Sequence, residues 1–114
     1  MIRLLLAEDQ SMVREALAAL LGLDPDFEVV AQVARGDEVL TAARAHEVDV
    51  ALLDIEMPGK TGIEAARELH AEFPAVKIVI LTTFGRPGYL RTAMESGADA
   101  FLVKDAPADR KSVV

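Results

Sequence analysis

Asp49-Val50-Ala51-Leu52-Leu53-Asp54-Ile55-Glu56-Met57-Pro58-Gly59-Lys60-Thr61-Gly62-Ile63-Glu64 is the stretch that decides the fold. Its first part, Asp49–Leu53, is apolar almost throughout. Strands buried on both faces of a parallel sheet read this way. The carboxylate of Asp54 ends the run, and Pro58 and Gly59 mark a loop. Thr61 and Glu64 have capping-box spacing: Thr61 can accept from the backbone N–H of residue 64 while Glu64 reaches back. A helix is predicted over Ile63–Phe73, with Ile63, Ala66, Leu69 and Phe73 on one face.

The same alternation extends in both directions. Ile2–Ala7, Phe27–Ala34, Val76–Thr82 and Ala100–Val103 are short, Val/Ile/Leu-rich runs and are predicted strands. Between them, Ser11–Leu23 places Val13, Leu17, Leu20 and Leu21 on one helical face, and Asp37–His46 does so with Val39, Leu40 and Ala43. Pro87–Ser96 repeats the pattern more weakly, with Leu90, Ala93 and Met94. Pro87 suits a helix start, and Gly22 and Gly97 fall where helices should stop. Strand and helix thus alternate five times along the chain. This implies an α/β fold with a doubly wound parallel sheet and helices on both faces.

Composition narrows the function. The 114 residues suit one domain with an aliphatic core, since only 4% are aromatic. Twelve basic against 19 acidic residues give a net charge of −7, which disfavours phosphate-backbone contact and favours a metal cation or a basic partner. The absence of cysteine excludes disulfides, zinc-thiolate sites and thiol catalysis, and agrees with a reducing, cytoplasmic setting. The apolar opening, interrupted by Arg3, is too short for a membrane span.

In open parallel sheets, ligands bind beyond the carboxyl ends of the strands. That edge is predicted to carry Glu8 and Asp9, Asp54, Thr82 and Thr83, and Lys104 with Asp105; Arg35, Gly36 and Asp37 end the second strand less distinctively. Any one of Glu8, Asp9 or Lys104 alone could be a solvated loop residue. Asp54, ending an apolar strand, is expected to be half-buried and to need a partner. Clustered carboxylates repel one another unless a cation intervenes. Mg²⁺ takes one or two carboxylates plus water and phosphate oxygens. Asp9 and Asp54 would bind it directly, and Glu8 through water. Lys104 offers a point charge and Thr82 a hydroxyl to phosphoryl oxygens. Metal, nucleophile, cation and hydroxyl donor together suit phosphoryl transfer to a carboxylate.

The order Glu8-Asp9, Asp54, Thr82, Lys104 resembles the receiver domain of two-component response regulators. The loop from Asp54 to Gly62, with Pro58 four residues after the aspartate, resembles the family's phosphorylation loop. Lys104 after a strand and before Asp105-Ala106-Pro107 is similar too. The segments Ala7–Gln10, Asp54–Gly62 and Leu81–Tyr89 look like receivers of LuxR/NarL-type transcription regulators, and within these they resemble the desaturase-controlling members.

The resemblance implies a flavodoxin-like, five-stranded sheet of order 2-1-3-4-5. It implies Asp54 as phosphoacceptor, and Mg²⁺ (or Mn²⁺) on Asp9, Asp54 and the backbone carbonyl of Glu56, with Glu8 acting through a metal-bound water. It makes Thr82 and Lys104 the phosphoryl contacts and Phe101 the switch aromatic. The implied partners are a sensor histidine kinase, a second copy on phosphorylation, and DNA through a C-terminal helix-turn-helix domain. Such a domain is a signalling phosphoacceptor and no enzyme beyond its own phosphoryl transfer and dephosphorylation. The chain is expected to be one receiver over residues 1–114 with the output domain absent. Its fifth helix is expected to be cut short, because seven residues follow Pro107 and Arg110-Lys111-Ser112 breaks their apolar face.

Three other readings compete. A haloacid-dehalogenase-like Mg²⁺ phosphatase wants a second aspartate where Glu56 stands. A flavodoxin-like FMN module wants a Ser/Thr/Gly phosphate loop where Glu8-Asp9-Gln10-Ser11 stands. The third is an inactive pseudo-receiver acting as an interaction module, against which retention of all five signature positions argues. Met57 is read as a packing residue, Phe84 as packing or lining the site, and His46 and His70 as surface residues.

Overall fold

The computed structural model describes residues 1–82, 95 and 97–103, without the side chains of Thr82 and Val103. The chain runs β1 (Ile2–Ala7), α1 (Ser11–Gly22), β2 (Phe27–Val33), a 3₁₀ turn (Gly36–Glu38), α2 (Val39–Ala45), β3 (Val50–Asp54), α3 (Gly62–Glu72), β4 (Lys77–Thr82) and β5 (Ala100–Val103). The five strands form one sheet of order β2-β1-β3-β4-β5, and every neighbouring pair is parallel. This is the expected flavodoxin-like order. The expected helix over Pro87–Ser96, and the fifth helix expected to be incomplete, lie outside the described residues.

Alternation along the central strands builds two buried faces. Leu5 and Ala7 of β1, Ala51 and Leu53 of β3, and Ile78 and Ile80 of β4 are all fully buried and face one way. α2 and α3 cover them with Val39, Ala43, Ile63, Ala65, Ala66 and Leu69. A fully buried leucine such as Leu69 contributes about 1.5–3 kcal/mol through burial. Leu4, Leu6 and Leu81 are buried on the opposite face. α1 packs on β1 and β2 and adds nothing to the α2–α3 cluster.

Element boundaries differ from expectation where side chains intervene. Asp49, expected to open β3, instead caps it: its carboxylate accepts the Arg3 N–H at 2.8 Å. Val76, expected to open β4, is held in the preceding turn by a bond from its N–H to the Phe73 carbonyl at 3.0 Å. The predicted second helix begins as a 3₁₀ turn over Gly36–Glu38. α1 shows the largest departure. None of its residues is fully buried, and Leu20, expected on the inner face, is 63% exposed. Successive helical residues point about 100° apart, so Leu20 and Leu21 cannot both face the sheet squarely; Leu21 is half-buried like Val13 and Leu17, and Leu20 is left exposed.

Candidate functional site

Strand register gathers the carboxylates. Ala7 of β1 pairs with Leu53 of β3, so Glu8 stands beside Asp54 and Asp9 lies one residue further out. One carboxylate oxygen from each of Glu8, Asp9 and Asp54 lies within 4.8 Å of the others. Glu8 is 0% exposed and Asp54 5% exposed, while Asp9 faces solvent. Asp54 is therefore more deeply placed than the half-burial expected of it. The reason is local: Gly62, the first residue of α3, passes directly over its carbonyl, and Ile55 N–H donates to the Leu81 carbonyl at 3.1 Å, extending the β3–β4 ladder past the strand end.

The loop after β1 is held on both sides. Glu8 N–H donates to the Val33 carbonyl at 3.0 Å, and Arg14 Nη1 donates to the Glu8 carbonyl at 2.7 Å. The Glu8 side chain accepts the Gln10 N–H at 3.1 Å through Oε2. Arg14 went unremarked in the sequence. Its one signal is its position in the first turn of the helix that follows the acidic pair.

The loop after β3 closes on itself through a bond from Gly62 N–H to the Ile55 carbonyl at 2.7 Å. The predicted capping box is present: Glu64 N–H donates to Thr61 Oγ1 at 3.1 Å, and Thr61 N–H donates to Glu64 Oε1 at 2.9 Å. Lys60 pairs with Glu68 on α3. Glu56 is exposed in this loop, and Met57 is half-buried against the core, as a packing residue should be. Phe101 lies in β5 opposite Ile80, half-buried against the core cluster. Thr82 closes β4 opposite Val103. Its side chain, Phe84 and Lys104 lie outside the described residues, so the structure brings together the acidic part of the expected constellation. His46 and His70 are both exposed, as read.

Two further residues at this edge carried no distinct signal. The Arg35 guanidinium grips Asp37 with two bonds, Nε to Oδ1 at 2.9 Å and Nη2 to Oδ2 at 3.0 Å. That hydrogen-bonded cation holds the Asp37 carboxyl below the usual carboxylate range.

The donor set is all hard oxygen, carries up to three negative charges and has one open side at Asp9. It fits a small divalent cation that keeps part of its water shell, such as Mg²⁺. Residues 4–112 match the response regulator receiver domain. The chain belongs to that family. This receiver domain is 46% identical over 109 residues to the transcriptional regulatory protein DesR of Bacillus subtilis, covering 96% of the chain and 54% of that protein. It is 38% identical, with a TM-score of 0.87, to a LuxR-family DNA-binding response regulator from Staphylococcus aureus, covering 93% of this chain and 88% of that one. The response regulator TrrA of Thermotoga maritima, solved in complex with Mg²⁺ and BeF, is 31% identical with a TM-score of 0.83, covering 96% and 91%. The expected likeness to LuxR/NarL-type transcription regulators is thereby borne out. The receiver spans about half the length of the curated relatives it matches. Among its described residues, no helix is long and apolar enough to cross a membrane.

Proposed function

We propose that this receiver accepts a phosphoryl group on Asp54 from a sensor histidine kinase in a Mg²⁺-dependent reaction. The observation that carries the reading is the convergence of Glu8, Asp9 and Asp54, two of them buried, at the carboxyl edge of the sheet. Buried carboxylates are costly unless they are paired, hydrogen-bonded or coordinate a metal, and a divalent cation would meet that need for all three at once. Asp9, Asp54 and the Glu56 carbonyl would hold the metal directly, with Glu8 acting through water. Bound there, Mg²⁺ would neutralise charge on the incoming phosphoryl oxygens.

The protein's own part is nucleophilic. A carboxylate oxygen of Asp54 forms a bond to phosphorus as the bond from phosphorus to the donor's imidazole nitrogen breaks. The electron pair of that bond returns to the imidazole, leaving an aspartyl phosphate. Burial keeps the nucleophile aligned and limits water around it. Thr82 and Lys104 would then engage the phosphoryl oxygens, and Phe101 would turn inward against the space Thr82 vacates. The switch is a population shift driven by one local charge event. Its output would be pairing with a second copy, which licenses a DNA-binding domain of the kind the relatives' names indicate. The setting is the cytoplasm, and the domain acts as a signalling phosphoacceptor.

Incubation with acetyl phosphate and Mg²⁺, followed by intact mass, tests the first step. Modification should require Mg²⁺ and should vanish in Asp54→Asn. Full Mg²⁺-dependent modification of that variant would sink the assignment. Light scattering with and without beryllofluoride and Mg²⁺ tests the pairing, and a molar mass that stays the same removes it.

A further inference from the structure

The connection after β2 reaches across to the loop that carries Glu56. Gly36 N–H donates to the Pro58 carbonyl at 3.0 Å. The approach is so close that a β-carbon on Gly36 would lie 1.8 Å from the carbonyl oxygen of Lys60. One residue on, the Asp37 carboxylate rests against Gly59, where an added β-carbon would meet Asp37 Cγ at 2.5 Å. Gly59 itself has φ +83°, a conformation that a side chain strains. Asp37 is kept in place by the two-bond grip of Arg35. Residues 35–37 thus clasp residues 58–60 by a backbone bond, a steric seat and a carboxylate that is itself held.

Other anchors described for this loop act beside the clasp, and Met57 packs against the core. Ile55 is tied to β4, and Thr61 and Lys60 are tied to α3. The clasp fixes residues 58–60, two positions beyond Glu56, whose backbone carbonyl would be offered to the metal. We propose that Arg35, Gly36 and Asp37 are positioning residues for the phosphoacceptor loop, setting Mg²⁺ affinity and the phosphorylation rate without touching either reactant. The inference rests on the Mg²⁺-dependent reading of Asp54 given above. Groups that orient metal ligands typically change affinity by about 10–100-fold when removed.

The test measures the Mg²⁺ dissociation constant by amide NMR titration, and the initial rate of acetyl-phosphate modification at saturating Mg²⁺. Gly36→Ala and Asp37→Ala should each weaken Mg²⁺ binding about tenfold or more and shift the amides of residues 55–61. Asp37→Asn keeps the volume against Gly59 and one acceptor for Arg35, and should recover most of the affinity. Arg44→Ala breaks an equally well-formed grip on Glu72, at 2.7 and 2.8 Å, away from the site, and should leave Mg²⁺ affinity unchanged. If Gly36→Ala does not fold, Asp37→Ala and its Asn counterpart decide alone. A wild-type chain that binds Mg²⁺ while the clasp variants bind it equally well overturns the clasp. So does an equal loss in Arg44→Ala, which would mark a general stability effect. A wild-type chain that binds no Mg²⁺ instead overturns the metal reading itself, and the clasp's role with it.

Discussion

The carbonyl oxygen of Asp54 occupies the space that a β-carbon on Gly62 would need, 2.0 Å from the ideal Cβ position. Gly62 opens α3, where alanine's advantage over glycine is at most about 0.5–1 kcal/mol, the value for a helix interior. Overpacking against fixed backbone costs about 1–3 kcal/mol, so the clash decides the sign. Gly62→Ala should lower the urea midpoint and also weaken beryllofluoride binding, because the displaced backbone belongs to Asp54. A variant as stable as wild type would mean that the crossing is loose.

The capping box makes a prediction of a different kind. Thr61→Ala removes the acceptor for Glu64 N–H and should cost about 1 kcal/mol. Thr61→Ser keeps the oxygen and should retain most of the stability. Because α3 follows the loop directly, the alanine variant should also speed amide exchange at residues 62–64. Unchanged exchange there would show that the cap does not hold the helix start.

Much of this was legible in the sequence, for identifiable reasons. Short Val/Ile/Leu-rich runs placed all five strands to within a residue at each end, and most sharply the central ones, where burial on both faces leaves little freedom in composition. Glu8, Asp9 and Asp54 were legible because the edge they share follows from strand direction alone. Leu20 was misplaced because Leu20 and Leu21 are about 100° apart on α1, and periodicity does not say which part of an apolar arc is used. The clasp was hidden for another reason. Gly36 and Gly59 read as ordinary loop glycines, and their close approaches join segments far apart in the chain. Arg35 and Asp37 likewise read as loop charges, since a two-bond grip between residues two apart leaves no periodic mark.

Acid should loosen two exposed ion pairs in a defined window. Arg44, hydrogen-bonded to Glu72, holds that carboxyl below its ordinary value of 4.5, as Arg35 holds Asp37 below 3.8. Both carboxyls titrate lower folded than unfolded. The stability they add is present above the unfolded values and is lost as pH falls through the lower folded ones. Glu72→Gln should therefore unfold at lower urea than wild type at neutral pH, by a small margin that shrinks as pH falls below 4.5, closes once pH is under the lower folded value, and shrinks in high salt. A gap that persists in acid would assign the difference to packing.

Removing one charge from the acidic cluster should act in opposite directions with and without metal. Glu8, Asp9 and Asp54 bring carboxylate oxygens within 4.8 Å, and Asp9 is the exposed member. At an exposed position, repulsion of this kind is worth about 1 kcal/mol. Asp9→Asn keeps the shape and one acceptor, so in EDTA it should be more stable than wild type by up to about that amount. With Mg²⁺ the order should reverse. Wild type gains about 2.7 kcal/mol when the metal is at one hundred times its dissociation constant, whereas a variant lacking a direct ligand gains far less. Thermal unfolding of both chains in EDTA and in Mg²⁺ gives the four values needed. Equal Mg²⁺ stabilisation of the two would remove Asp9 from the metal's ligands, and a less stable variant in EDTA would mean that its carboxylate is held by bonds worth more than the repulsion it suffers.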